Sequence, residues 1–497
     1  MNRNGKKDSQ EKGIPDVAVT NGREVVLTNT KGEYQLPVGD DNILSVIKPS
    51  GYAVPLDKYN KPQSYYIHKP KGTPASICTT GIAPTGKLPA RIDFALYRSE
   101  EPDAFRALIF GDPQPHYAEH LDYYKKSIVK EVEGVKNVAF GISMGDITDE
   151  DFGLYRPYAE IMKSVGVPWY NVIGNHDYDY KSPQDRLSNE SFKAFFGPVD
   201  YAFNYGKVHV LVLDNLIYPD PRRKTFMWSG FREDQLDFVA NDLKFVPKDK
   251  LVVVAVHVPL FDKEDWFNQG SKECLFTLLK DFPHVMVISA HMHIQEQIWH
   301  TAKDGWRGKK PLYEYNIAAT CGNWYSGFPD KDGVPESMMT DGTPKGYAYL
   351  NVNGNEYTID YKVAGQPADY QIRVMNPVHV VQNRHTPAYI TANFFMGGEN
   401  DVLECRIDGG AWKKMQKDLV PDPVYTYNYL RWNLSEAPKL TRWPSEGINS
   451  SHIWRMRIPS NLPLGEHQIE VRVTDRFGRT HTGKGSYTIV KPIKLYP

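Results

Sequence analysis

Ala107-Leu108-Ile109-Phe110-Gly111-Asp112-Pro113-Gln114 is a short apolar run that ends in a glycine, a carboxylate and an amide. The pattern returns four times. Val138-Ala139-Phe140-Gly141-Ile142 leads to Gly145-Asp146-Ile147-Thr148-Asp149, and Trp169-Tyr170-Asn171-Val172-Ile173 leads to Gly174-Asn175-His176-Asp177. Residues 251–256 lead to His257-Val258-Pro259, and residues 285–288 lead to Ala290-His291-Met292-His293. Such runs, with a further one at 208–213, read as strands buried on both faces. Helical patterns lie between them, around 117–133, 151–165, 187–196, 232–245 and 272–281. Strand–helix alternation of this kind predicts an α/β domain. Ligand groups in these folds gather at the carboxyl ends of strands. A single Gly-Asp or Asn-His is an ordinary turn, but five polar strand ends in succession place carboxylates, amides and imidazoles along one rim.

The texture changes on either side of this block. Residues 14–60 alternate apolar and polar residues around Asn21-Gly22 and Lys31-Gly32, which predicts a small β-sandwich. Residues 61–103 are rich in Pro, Gly, Ser and Thr and read as a linker, so the central domain is expected over 104–370. Over 371–497 the helical period largely disappears, and a C-terminal β-sandwich is the simplest expectation. Residues 1–13 are polar and read as a disordered leader. A length of 497 residues suits several domains.

Composition excludes some functions. Hydrophobic residues at 41% and charged residues at 24% are the balance of a globular protein. Lys and Arg number 59 against 60 Asp and Glu, so no basic surplus exists to displace counterions, and bulk nucleic acid is not an expected partner. No run reaches the roughly 20 apolar residues of a transmembrane helix. The leader has no apolar segment of the signal-peptide kind. Cys78, Cys274, Cys321 and Cys405 are far apart, which argues for buried thiols over disulfides or structural zinc.

The polar strand ends have a chemical logic. Two cations about 3.5–4 Å apart need an anionic bridge, and a carboxylate can reach both. Oxygen and imidazole donors without thiolate suit Mn, Fe, Zn or Co. His291 and His293, two apart on an extended segment, share one face and can each serve a metal.

The series GDPQ, GDITD, GNHD, VH and AHMH resembles the calcineurin-like metallophosphoesterases, whose pattern is D-x-H, G-D-x-x-D, G-N-H-D/E, H and G-H-x-H. The resemblance spans about 104–295. It implies a four-layer α-β-β-α sandwich of two mixed sheets with flanking helices, and a dinuclear centre. One metal would take Asp112, Gln114, Asp146 and His293; the other would take Asp146, Asn175, His257 and His291, with Asp146 as bridge. His176 would be the catalytic histidine at the leaving oxygen, and Asp149 would fix and charge its imidazole. The flanking segments resemble the three-part enzymes of this family found in Bacteroides-type bacteria, in which a carboxypeptidase-regulatory-like sandwich precedes the core. Those proteins are commonly exported, so the resemblance implies an extracytoplasmic home, periplasmic or at the cell surface.

The chain departs from the pattern in two places, at Gln114 and Ala290. Gln114 stands where the family has histidine, which implies a weaker site or a harder ion such as Mn or Fe(III). Ala290 replaces a glycine, and Asp149 stands where a tyrosinate–iron centre would need tyrosine. Asp149 could equally cap a helix. His116 reads as a surface-loop residue, and Asn204, His209 and Asp214 as structural ones. Asn323 and Trp324 follow a strand-like run and are candidate substrate contacts, while Tyr425–Tyr429 and Trp432 read as sandwich core. The expected activity is hydrolysis of a phosphomonoester or phosphodiester, small or envelope-derived, by metal-bound hydroxide with His176 assisting departure. The competing reading is an envelope or glycan-binding protein whose metal domain is degenerate at Gln114.

Overall fold

The computed structural model describes every residue except 1–7, 9, 78–79, 224–225, 262–265, 437–442 and 494–497. Cys78 and most of the expected leader therefore lie outside the described residues. The chain divides into two compact units. The larger holds residues 1–292, 298–320 and 348–359; the smaller holds 293–297, 321–347 and 360–497.

The larger unit is built on two mixed sheets. In the first, Ala104–Phe110 runs parallel to Phe140–Ser143, which runs parallel to Trp169–Asn171, while Gly346–Asn353 closes on Ala104–Phe110 antiparallel. In the second, Val208–Val212, Leu251–Ala255, His284–Ser289 and Leu312–Asn316 are successive parallel neighbours, with Tyr201–Tyr205 antiparallel on one edge. Every residue of Val208–Val212 and Leu251–Ala255 is buried, as unbroken apolar runs require. The sheets meet through aromatic rings: Phe140 edge-on to Phe203 at 5.2 Å, Tyr170 flat on Phe203 at 3.8 Å, and Phe105 tilted on Tyr205 at 4.5 Å. Such pairs add about 0.5–1.5 kcal/mol each beyond the area they bury. Gly111 pairs with Ala319, and the hydroxyl of Thr320 donates to the Gly111 carbonyl at 2.6 Å, so the first sheet is stitched to the second where the polar strand ends begin.

The helices fall where the periodicity predicts them. Ala118–Tyr124 continues through a π-turn at Lys125–Val129, and Tyr155–Met162 packs beside it, Tyr124 against Tyr158 at 6.1 Å. The Tyr158 hydroxyl bonds Ser143 at 2.7 Å, which anchors this pair to the first sheet. Glu233–Asp242 is tied to the second sheet by Asp242 and His209 at 2.7 Å, and Gln269–Leu279 by Phe276 against His300. His209 is thus the structural residue its strand position suggests.

The N-terminal sheet has the order Val25–Leu27, Ala18–Thr20, Asn42–Val46, Tyr65–His68. Its last strand lies beyond residue 60, inside the stretch read as linker. Pro62 and Ser64, which disguise it, lie just before the strand and not in it.

The smaller unit contains two further sheets. Ile372–Met375, Tyr389–Phe394, Ile453–Arg457 and Gln416–Lys417 form one; the long hairpin Gly465–Thr474 and Thr480–Val490, with Glu404–Ile407, forms most of the other. They touch through Phe394 and His481, and through Ile372 and Val374 over Gly483. The aromatic run expected as sandwich core is instead a helix, Pro423–Trp432, with Tyr425 and Trp432 buried and Tyr427 exposed. Asp422 caps it, accepting from the N–H groups of Val424 and Tyr425, and Pro423 occupies the first turn. Cys321 and Cys405 are buried; Cys274 is exposed on its helix.

One largely buried ion cluster contributes to the stability of the larger unit. Arg232 reaches Asp185, Asp200 and Asp234 at 3.1 Å each and Asp214 at 3.8 Å. Burial pushes Asp200 and Asp214 up from the usual carboxylate range, and the guanidinium opposes it. Replacing Arg232 with Met strands those carboxylates, which should cost about 3–5 kcal/mol. A melting midpoint for Arg232→Met within a degree of wild type would refute this.

Candidate metal centre

Three of the five polar strand ends project side chains from a constrained backbone. Asp112, Gln114, Asp146 and His291 all have positive φ, at 27°, 39°, 47° and 70°, as does His293 at 50°. For non-glycine residues this region costs of order 1–3 kcal/mol each and persists only where surrounding structure enforces it. The two glycines that precede Asp146 and Asn175 play different parts. Gly145 is left-handed at φ 100°, but Gly174 is extended, and its need is space: a Cβ there would strike the backbone nitrogen and carboxylate of Asp146.

The first group converges on Asp146. Its Oδ2 lies 3.3 Å from His257 Nε2, and one carboxylate oxygen of Asp146 with one ring nitrogen each of His257 and His291 lie mutually within 4.8 Å. Asn175 Oδ1 is 3.0 Å from His257 Nε2, and His291 Nδ1 is 3.3 Å from the same atom. His257 is oriented by its other nitrogen, which bonds the Met144 carbonyl at 2.8 Å. This second partner fixes the tautomer and leaves Nε2 for the centre. Asp112, fully buried, accepts from the His291 N–H at 3.1 Å and lies 3.6 Å from His257 Nδ1.

The electrostatics of the group call for positive charge. Burial disfavours ionisation of Asp146, yet His257, His176 and His291 outweigh it and hold the carboxyl well below the usual range. Burial and the charge of Asp146 push Asp112 up, against the pull of His257. Burial would lower His257, but Asp146 and Asp112 raise it to about 9. The acids favour a proton on His257, and a cation bound here would take the place of that proton. Gln114 is 2% exposed, and its carbonyl Oε1 meets no hydrogen-bond donor among the described residues. An orphaned buried oxygen costs about 1–3 kcal/mol, and a cation satisfies it. The donor set therefore fits hard or borderline metal ions.

His176 stands beside this group. Its N–H donates to Asp146 Oδ1 at 2.9 Å, and its Nδ1 lies 2.9 Å from Asp149 Oδ1 and 3.4 Å from Glu150 Oε1. Burial lowers the imidazole, but Asp146 and Asp149 raise it to about 9. Asp149 caps no helix here; Asp151 does so instead, accepting from the Gly153 N–H. Asp177 caps the turn that Gly174 opens and also ties two loops together. The Asp177 carboxylate accepts from the N–H groups of Ile147 and Gly174 and from the Tyr155 hydroxyl, tying the Asp146 loop to the Asn175 loop. Its position three residues after Gly174, opening a turn, is the available signal.

The remaining candidates lie in the smaller unit. His293 is buried, its Nδ1 bonds the Gly322 carbonyl at 2.7 Å, and its ring stacks on Trp324 at 4.4 Å. Trp324 is thus placed as a support for His293. Asn323 is 1% exposed and its amide donates to the Tyr425 hydroxyl at 2.8 Å, a packing position and not the mouth-lining one expected of a substrate contact.

Gly174→Ala offers a direct test of the crowding. The backbone there suits alanine, so the protein should fold, but the methyl group displaces Asp146. Metal affinity should fall roughly 10–100-fold, the range for disturbed support of a metal ligand. Equal metal retention by wild type and variant on dialysis against chelator would contradict it.

Three family models match the chain: the N terminal of calcineurin-like phosphoesterase at residues 1–78, calcineurin-like phosphoesterase at 105–295, and the C terminal of calcineurin-like phosphoesterase at 314–481. No curated protein matches it. Among solved structures, the purple acid phosphatase PPD1 from yellow lupin (Lupinus luteus) seeds is 11% identical over 72% of this chain and 68% of its own, with a TM-score of 0.39. Vps29 of Chaetomium thermophilum is 10% identical over 78% and 100%, TM-score 0.24. A cold-active protein-tyrosine phosphatase of a psychrophilic Shewanella is 11% identical over 70% and 99%, TM-score 0.22. Among the described residues no helix is long and apolar enough to cross a membrane. These structural likenesses are weak, and membership rests on the matched segments: the chain belongs to the calcineurin-like phosphoesterases, in the form that carries N- and C-terminal flanking domains around the phosphoesterase domain.

Proposed function

We propose that the protein hydrolyses phosphate esters at a dinuclear metal centre, with His176 as the group that assists the leaving oxygen. The observation that carries this reading is the approach of Asp146, His257 and His291 to within 4.8 Å of one another on the ends of strands from two different sheets. Asp146, Asn175, His257 and His291 would hold one metal, and Asp112, Gln114, Asp146 and His293 the other. When bound, the ions would supply Lewis-acid polarisation of a phosphoryl oxygen and a more acidic water.

The protein's own residues do the rest. Asp146 offers the shared negative charge, and its Oδ1 also accepts the His176 N–H, which locks the proton donor to the bridge. Asp149 orients the imidazole through Nδ1, so that Nε2 is the nitrogen available to a departing alkoxide. A neighbouring carboxylate favours the protonated ring, which suits a general acid. The same reading takes the two sheets as inner layers of an α-β-β-α sandwich, supported by Tyr158 on Ser143 for one helical layer and Asp242 on His209 for the other.

The test is metal analysis of the purified protein together with parallel assays on aryl phosphate mono- and diesters in Mn, Zn, Fe and Co. Turnover that follows metal content supports the proposal. Full metal occupancy with no hydrolysis of any ester would overturn it.

A further inference from the structure

We propose that His116 is a positioning residue for His176, acting through the Asp149 carboxylate that the two imidazoles share. The inference rests on the reading of His176 as the leaving-group acid. It starts from an unusual contact: His116 has a side chain 43% exposed, yet its Nδ1 lies 2.8 Å from Oδ2 of Asp149, whose side chain is 3% exposed. The other oxygen of that carboxylate, Oδ1, is 2.9 Å from His176 Nδ1 and accepts from Gln114 Nε2 at 3.3 Å.

The consequence is geometric. The terminal torsion of an aspartate is broad and two-fold, so a carboxylate held through one oxygen can swing and carry its partner imidazole with it. A second imidazole on the opposite oxygen removes that freedom. His116 can serve as a fixed post because its own loop is tied down. Its N–H donates to His120 Nδ1 at 3.2 Å, its ring stands edge-on to Tyr117 at 4.3 Å, and the Asp149 N–H donates to the Pro115 carbonyl at 3.1 Å. Asp149 thus links the Gln114–His116 loop to the histidine that faces the leaving group.

The experiment uses the full chain loaded with metal, 4-nitrophenyl phosphate as the ester with a good leaving group, and phenyl phosphate as the poorer one. His116→Ala should lower kcat on phenyl phosphate about tenfold and on 4-nitrophenyl phosphate less than about twofold, with KM unchanged, because only the poorer leaving group depends on an aimed proton donor. His116→Asn, whose amide nitrogen can donate where Nδ1 does, should recover kcat on phenyl phosphate to within about threefold. In a His176→Ala background the His116→Ala change should cost nothing more, since positioning has nothing left to act on. Equal losses on the two esters, a rise in KM alone, loss of metal, or additive losses in the double variant would each overturn the proposal. A wild-type protein inactive on both esters would instead count against the function proposed above.

Discussion

Asp146→Asn protein is expected to lose bound metal and turnover together. The asparagine fills the same space, so the change removes charge and little else. That charge is held in place against burial by three histidines, and Asp146 is the carboxylate proposed above to serve both metals. Loss of a single fixed electrostatic donor in an active site already costs roughly 10²–10³-fold. Loss of the bridge should exceed that, leaving hydrolysis of 4-nitrophenyl phosphate at background. Elemental analysis of the purified variant, beside a melting curve that shows it folded, separates loss of metal from loss of structure. A folded variant with wild-type metal content and turnover would remove Asp146 from the centre and the mechanism with it.

The second large effect is expected at His176, and its signature is different. The contact from residue 176 to Asp146 is made by the backbone N–H, at 2.9 Å, so alanine keeps it. His176→Ala should therefore retain metal. What it removes is the imidazole beside Asp149, and general acid catalysis is worth about 10²–10⁴-fold. The loss should approach the top of that range on phenyl phosphate and shrink on 4-nitrophenyl phosphate, whose phenolate leaves without help. Kinetics across a series of phenols of rising pKa measure this as a steeper leaving-group dependence. Parallel lines for wild type and variant would show that His176 binds substrate and donates no proton.

Much of this site is legible in the amino-acid sequence, because its residues sit directly after apolar runs. Asp112, Asp146, Asn175, His257 and His291 each follow a strand by a few residues, and parallel strands bring such positions to one rim. What the sequence hides depends on partners distant along the chain. His116 is the surface-loop residue it reads as, but its contact with Asp149, thirty-odd positions on, is not visible in the sequence. Asn323 looks like a mouth residue until Tyr425 claims its amide. Pro62 and Ser64 obscure the strand Tyr65–His68, which begins only after them. At Pro423–Trp432 the aromatic residues mask Asp422-Pro423, a helix start written in plain terms. His291 and His293 read as one unit of pattern, yet they belong to different compact units, a division that falls between neighbours and leaves no mark in composition.

The left-handed backbone at Asp112, Gln114, Asp146 and His291 also bears on how variation at these positions should be read. Glycine enters that conformation freely and aspartate, asparagine and histidine more readily than other residues, whereas valine and isoleucine are nearly barred from it. A saturation library would thus be filtered twice, first by chain geometry and then by chemistry. Survivors rich in asparagine and glycine would report the first filter, and only the subset that still turns over ester would report the second.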